Sequence, residues 1–241
     1  MHVVYFEGEK ASSYDDTIPL WVPNYHFVQQ SIPAILRHHL PERPKNRLLV
    51  IGCGTGQEIS ALRDYNQSWQ ITGLDPSPQM IRLARMKLAY HDNDPALRLK
   101  IGVVEDLPTD ELYDAATLVL VLHFIPNTGD GKRRLLRQIA ARLEKGAPLL
   151  IYDIYQAADF EQQMTYFRHY LRGRGMDEDM LREGLQHVRQ DTHRMTEEEL
   201  SQLLQESGFT PPVMFSSAFY YGGWLTTRAS SRASSRASSR A

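Results

Sequence analysis

Among 241 residues there is one cysteine, Cys53. An intramolecular disulfide is thereby excluded, and the composition fits a reducing cytoplasm. Charge of one sign is also lacking. Lys and Arg number 27 against 29 Asp and Glu, a formal net charge of −2, so no long-range field draws the chain to nucleic acid. No apolar run reaches membrane length: the longest, Ala115 to Leu122, is far too short for a bilayer. No signal-peptide pattern is visible. His, Cys, Asp and Glu nowhere show metal-ligand spacing, and adjacent His38 and His39 point different ways on a helix. A metal site is not expected. There is no G-x-S-x-G elbow, which argues against a hydrolase triad. With 42% apolar and 23% charged residues, what remains is the profile of a globular enzyme of one larger domain, or one domain plus a cap.

The informative stretch is Leu48 to Glu58. A short apolar run, Leu48 to Ile51, reads as a strand buried on both faces. It breaks into Gly52, Gly54 and Gly56, a turn that lets backbone approach a ligand closely. Thr55 and Glu58 then stand at capping-box spacing for a helix over about 55–64. Dinucleotide sites read G-x-G-x-x-G before a bare helix N-terminus. Here the spacing is G-x-G-x-G, and acidic Glu58 follows, a poor neighbour for phosphate but a tolerable one for a cationic ligand. Gln70 to Asp75 reads as a second strand ending in a carboxylate, which can accept a hydrogen bond from each of two ribose hydroxyls. A third strand, 99–104, also ends in acid, at Glu105 and Asp106.

Around this stretch strand and helix alternate, which demands a parallel sheet with helices on both faces. A helix is expected over about 77–91, with a charged outer face. Strand four, 114–122, is central and empties into His123, and a helix capped by Asp130 runs to about 143 before Gly146. Strand five spans 148–153. The alternation then stops, and residues 156–192 read as a helical insertion with an aromatic stripe. Thr196 and Glu199 form a second capping box for a helix closing at Gly208. Two final strands, about 213–217 and 219–227, are expected to turn through Tyr220 to Gly223. Residues 1–12 carry little pattern. The proline- and aromatic-rich 13–40 reads as a cap segment with a helix over about 25–39, and the Arg-Ala-Ser-Ser repeat of 228–241 as a low-complexity tail, natural or added.

The glycine motif, Asp75 and the pair Glu105-Asp106, in that order and spacing, resemble the class I S-adenosylmethionine (SAM) methyltransferases over roughly residues 14–226. The resemblance implies a Rossmann-like, seven-stranded, mostly parallel sheet with an antiparallel last strand and a helical cap. It implies SAM as cofactor. Gly52, Cys53 and Gly54 would lie against its methionine part and Asp75 would hold the ribose. Pro76 and Met80 would pack the adenine, Glu105 or Asp106 would take its amino group, and main chain from Val119 would meet the ammonium. Val22-Pro23-Asn24-Tyr25 resembles a stretch of the carboxy-SAM synthase branch, which makes Tyr25 a further cofactor candidate. That branch holds an extra carboxylate with an arginine, where this chain has Leu203 and no arginine between Thr196 and Gly208. Ordinary methyl donation to a small molecule in an enclosed site is therefore the expected activity. A tRNA-modification enzyme, whether methyltransferase or carboxy-SAM synthase, and a SAM-binding module without catalysis are the alternatives. Displacement at the methyl carbon needs a base only when the acceptor proton is still bound. Candidate bases at the strand mouths are His123 and Asp153, with Tyr152 and Tyr155 nearby. A homodimer is admitted by the sequence.

Overall fold

The structure, a computed structural model, describes residues 8, 13–43, 45–89 and 94–230. The expected N-terminal arm and most of the low-complexity tail lie outside the described residues. Seven strands form one sheet in the order β3-β2-β1-β4-β5-β7-β6. They are β1 (Arg47–Ile51), β2 (Gln70–Asp75), β3 (Leu97–Ile101), β4 (Ala115–Val119), β5 (Pro148–Ile154), β6 (Val213–Ala218) and β7 (Tyr221–Thr227). The first five pair in parallel, and β7 runs antiparallel to both β5 and β6. The described helices are α1 (Tyr14–Trp21), α2 (Tyr25–His39), α3 (Gln57–Tyr65), α4 (Pro78–Lys87), α5 (Gly131–Ala141), α6 (Phe160–Gly173), α7 (Glu178–Gln190) and α8 (Glu197–Glu206).

Period-two side-chain alternation divides the apolar residues between two cores. Leu48 and Val50 of β1 and Leu150 and Tyr152 of β5 face α2, α3, α6 and α7. Leu49, Ile51, Leu149 and Ile151 face α5 and α8. Both sides are covered, which is why the central strands read as nearly unbroken apolar runs. None of the described helices is long and apolar enough to cross a membrane.

Several boundaries differ from the sequence reading. Helix α3 starts at Gln57 after Gly56, a left-handed cap at φ +84°, and no side chain caps it. The Thr55–Glu58 box does not form, because the Thr55 hydroxyl donates to Asp15 and Glu58 is buried. The third and fourth strands end early, and Val104–Asp106 and Leu122–Phe124 are 3-10 turns. The second capping box is present, with Thr196 Oγ accepting from Glu199 N at 3.1 Å. The last turn lies at Phe219, φ +54°, and not over Gly222 and Gly223, which pair with Asp153 and Tyr152 inside β7. Those glycines give room to neighbours: a Cβ on Gly222 would lie 2.3 Å from the Trp224 ring and one on Gly223 2.6 Å from Phe215. Helix α1 was not anticipated, and Pro19 sits inside it.

Candidate active site

The glycine turn bends the chain at the carboxyl end of β1. Gly52 and Gly54 have φ of +70° and +52°, a region L side chains rarely enter. A Cβ on Gly52 would fall 2.5 Å from Val121 Cγ2, whereas one on Gly54 would meet nothing within 4 Å. The open side of Gly54 faces a cleft of about 120 Å³. Asp75 closes β2 beside it. Its Oδ2 accepts from Gly54 N and its Oδ1 from Ser77 N, each at 2.9 Å. Burial pushes the Asp75 carboxyl up, and those two N–H donors work against that shift. The same Ser77 caps α4, accepting from Met80 N at 3.2 Å. One carboxylate thus sets the glycine turn and the start of α4 together.

Pro76 and Met80 form one wall of the cleft, Gly102 to Val104 another, and Val119 to Val121 with Phe124 the far side. Leu120 has φ +56°, strain of the kind that clusters at ligand sites. Among the described residues, Asp75 is the sole charged side chain in the lining, and no Lys, Arg or His is present there. Of the residues singled out by sequence, Gly52, Gly54, Asp75, Pro76, Met80 and Val119 line the cleft. Tyr25, Cys53, Glu105 and Asp106 do not. Burial holds the Cys53 thiol protonated. Asp106 Oδ2 accepts from Val103 N at 2.8 Å, and Glu105 is engaged by Gln138 and Arg134. Tyr14, which sequence reasoning missed, does line the cleft. Its signal was faint: Tyr14 belongs to α1, a helix that Pro19 obscured.

Helix α1 is fastened at both ends. Thr55 Oγ1 donates to Asp15 Oδ1 at 2.5 Å, and Lys87 of α4 pairs with Asp15 Oδ2 at 2.6 Å. At the far end the Trp21 ring lies against Gly184 of α7, where a Cβ would come within 2.0 Å of it. Alanine is favoured over glycine in a helix by about 1 kcal/mol, so Gly184→Ala would stabilise α7 taken alone. In the intact chain we expect a net loss of about 1–3 kcal/mol from overpacking, read by urea unfolding with tryptophan fluorescence. Unchanged or greater stability would mean that Trp21 does not dock there.

His123 and Asp153 come together, but on the α5/α8 side of the sheet. His123 Nδ1 lies 2.5 Å from Asp153 Oδ1, and both residues are buried. Asp153 Oδ2 also accepts from Val121 N at 3.1 Å and Leu122 N at 2.7 Å, and Oδ1 from Ile154 N at 2.7 Å. Neither side chain lines the cleft. The pair holds the β4 exit turn whose other face forms the cleft wall. Lys132 of α5 is bound to Asn127 and to the carbonyl of His193 behind it, and burial lowers its ammonium to about 8. Among the described residues no group of His, Cys, Asp and Glu is arranged to hold a metal.

A protein-family model described as a methyltransferase domain matches residues 49–149, from β1 to the start of β5. Over residues 49–149 the chain carries a methyltransferase domain. Carboxy-S-adenosyl-L-methionine synthase 1 of Yersinia pseudotuberculosis serotype IB (strain PB1/+) is 25% identical over 174 residues, 70% of either chain. The ubiquinone/menaquinone biosynthesis C-methyltransferase UbiE of Geotalea daltonii is 26% identical over 143 residues, 54% of this chain and 59% of that one. In fold, the methyltransferase domain is similar to magnesium protoporphyrin IX methyltransferase of Synechocystis PCC 6803 with bound SAH, at a TM-score of 0.61 and 17% identity. That likeness covers 86% of this chain and 84% of the other. The seven-stranded, mostly parallel sheet with its antiparallel last strands is the fold that the resemblance implied.

Proposed function

We propose that this enzyme transfers a methyl group from SAM to a small-molecule acceptor. The observation that carries the reading is the cleft's charge: among the described residues it has one fixed carboxylate, Asp75, and no cationic side chain. A sulfonium ligand suits such a wall, and a ligand bearing an extra carboxylate does not. The residues fit the cofactor. Gly54 leaves the backbone bare toward the cleft. Asp75, already oriented by two N–H donors, keeps lone pairs for the ribose hydroxyls. Pro76 and Met80 offer apolar surface for the adenine, and main chain from Val119 to Leu122 suits the methionine end. SAM supplies an activated methyl carbon, and the protein's part is position and exclusion of water. Tyr14 brings α1 over the opening.

Leu203 packs against the α5/α8 core, and α8 contributes no residue to the cleft. This supports methyl donation over carboxy-SAM synthesis, the activity for which the Yersinia pseudotuberculosis relative is named. The test is calorimetric binding of SAM and of its demethylated product, SAH, followed by turnover of labelled SAM with a metabolite panel. Binding of both with methyl transfer to a metabolite is the expected result. Binding without turnover on any acceptor, tRNA included, would favour a SAM-binding module. Preference for carboxy-SAM over SAM would reverse the assignment.

A further inference from the structure

Among the described residues that line the cleft, only Tyr14 and Asp75 carry a side-chain oxygen or nitrogen. The others, Leu120, Val121, Phe124 and Ile125 among them, are apolar or glycine. Neither polar group is a free base. Asp75 is committed to Gly54 N and Ser77 N at 2.9 Å each. Burial, with the Asp75 and Asp15 carboxylates nearby, pushes the Tyr14 phenol up, so at neutral pH it keeps its proton and can only give a hydrogen bond or accept one. Other groups able to take a proton stand outside the lining. His123 and Asp153 are bound to each other on the α5/α8 side of the sheet. Glu58 of α3, whose carboxyl burial raises to about 7, is buried and borders no part of the cleft.

An alcohol or an alkylammonium ion still holds its proton when attack begins and needs a base at hand. The described lining provides none. An acceptor that has already lost its proton in solution needs no base. Its charge is costly to bury in an apolar cleft unless an opposite charge lies beside it. The sulfonium of SAM is such a charge, and apolar surroundings strengthen the attraction. We propose that the acceptor is an anionic nucleophile on an apolar frame, a thiolate, phenolate or carboxylate ionised before it enters, with the donor's sulfonium as its counter-charge. The proposal rests on the methyl-donor reading of the cleft. The acceptor's lone pair forms the bond to the methyl carbon while the carbon–sulfur bond breaks and leaves its electron pair on sulfur. The two charges cancel, and no proton moves in the site. An acceptor anion is therefore held only while the positive charge is present.

The experiment loads the full chain with SAH or with sinefungin, an analogue that carries a protonated amine on carbon in place of the methylsulfonium. Calorimetry at pH 8 titrates each loaded form with thiophenolate, 4-nitrophenolate and benzoate, and with benzyl alcohol and benzylamine as neutral and cationic controls. At least one anion is expected to bind the sinefungin form about 10-fold or more tightly than the SAH form. Which anion does so identifies the source of the charge, and benzyl alcohol should bind both forms alike. If no anion prefers the sinefungin form, the proposal falls. Turnover of labelled SAM with ring-substituted members of the preferred anion gives a second reading. The kcat/KM–pH profile should follow each acceptor's own ionisation, and Glu58→Gln should leave it in place. A rise at one pH fixed across acceptors, or turnover of benzyl alcohol or benzylamine ahead of the anions, means that the protein supplies a base and overturns the proposal. A chain that binds neither SAM nor sinefungin defeats the methyl-donor reading itself, a result that the anion titrations do not mimic.

Discussion

Asp75→Ala is expected to bind SAM at least about 100-fold more weakly than the wild-type chain. Two charge-assisted hydrogen bonds to a ribose, at roughly 1.5–3 kcal/mol each, set that scale. From sequence alone the lost bonds run to ligand only, and the fold should be untouched. The structure adds a cost, since Gly54 N and Ser77 N both donate to this carboxylate. The same variant should therefore lose about 1–3 kcal/mol of stability. Asp75→Asn separates the two effects. Its amide oxygen still accepts one backbone bond, restoring part of the stability, while the amide nitrogen cannot accept from a ribose hydroxyl. Isothermal titration alongside urea unfolding measures both quantities. Wild-type affinity in the alanine variant would remove Asp75 from the site.

The second large effect is expected at Asp153. Asp153 is buried, and its carboxylate serves Val121, Leu122, Ile154 and His123. Asp153→Ala leaves three backbone N–H groups and an imidazole without a partner in a dry interior, a loss of about 3–5 kcal/mol. His123→Ala frees only one bond and should cost less. Both variants move the β4 exit turn, so SAM affinity falls even though neither side chain touches the cleft. The reading is a larger loss of urea stability for Asp153→Ala than for His123→Ala, with kcat nearly intact once SAM saturates. Abolition of kcat in a folded, saturated His123→Ala would instead make His123 a base in the reaction.

What the sequence disclosed was mostly local. Apolar runs and acid-tipped strands marked β1, β2 and the cleft's floor, because burial on both faces leaves no alternation to misread. Thr196 sits where it caps a helix, as its spacing from Glu199 indicates. Three features were not legible, because each is set by packing or pairing that a local sequence pattern does not encode. Thr55 abandons its expected cap because Asp15, 40 positions earlier, takes its hydroxyl. Gly222 and Gly223 read as a turn, but they clear space for the Trp224 and Phe215 rings inside a strand. His123 and Asp153 looked like separate candidates at two strand mouths, and their 2.5 Å pairing across 30 positions made them one structural unit.

The two fastenings of α1 have a wider consequence. Asp15 and Trp21 sit on the same eight-residue helix, one bound to the glycine turn and the other to the insertion after β5. So short a segment releases as a unit, which makes ligand occupancy and the mobility of α7 thermodynamically linked across the molecule. Amide hydrogen exchange around Gly184 should then slow when the cleft is filled, although α7 contributes no residue to its lining.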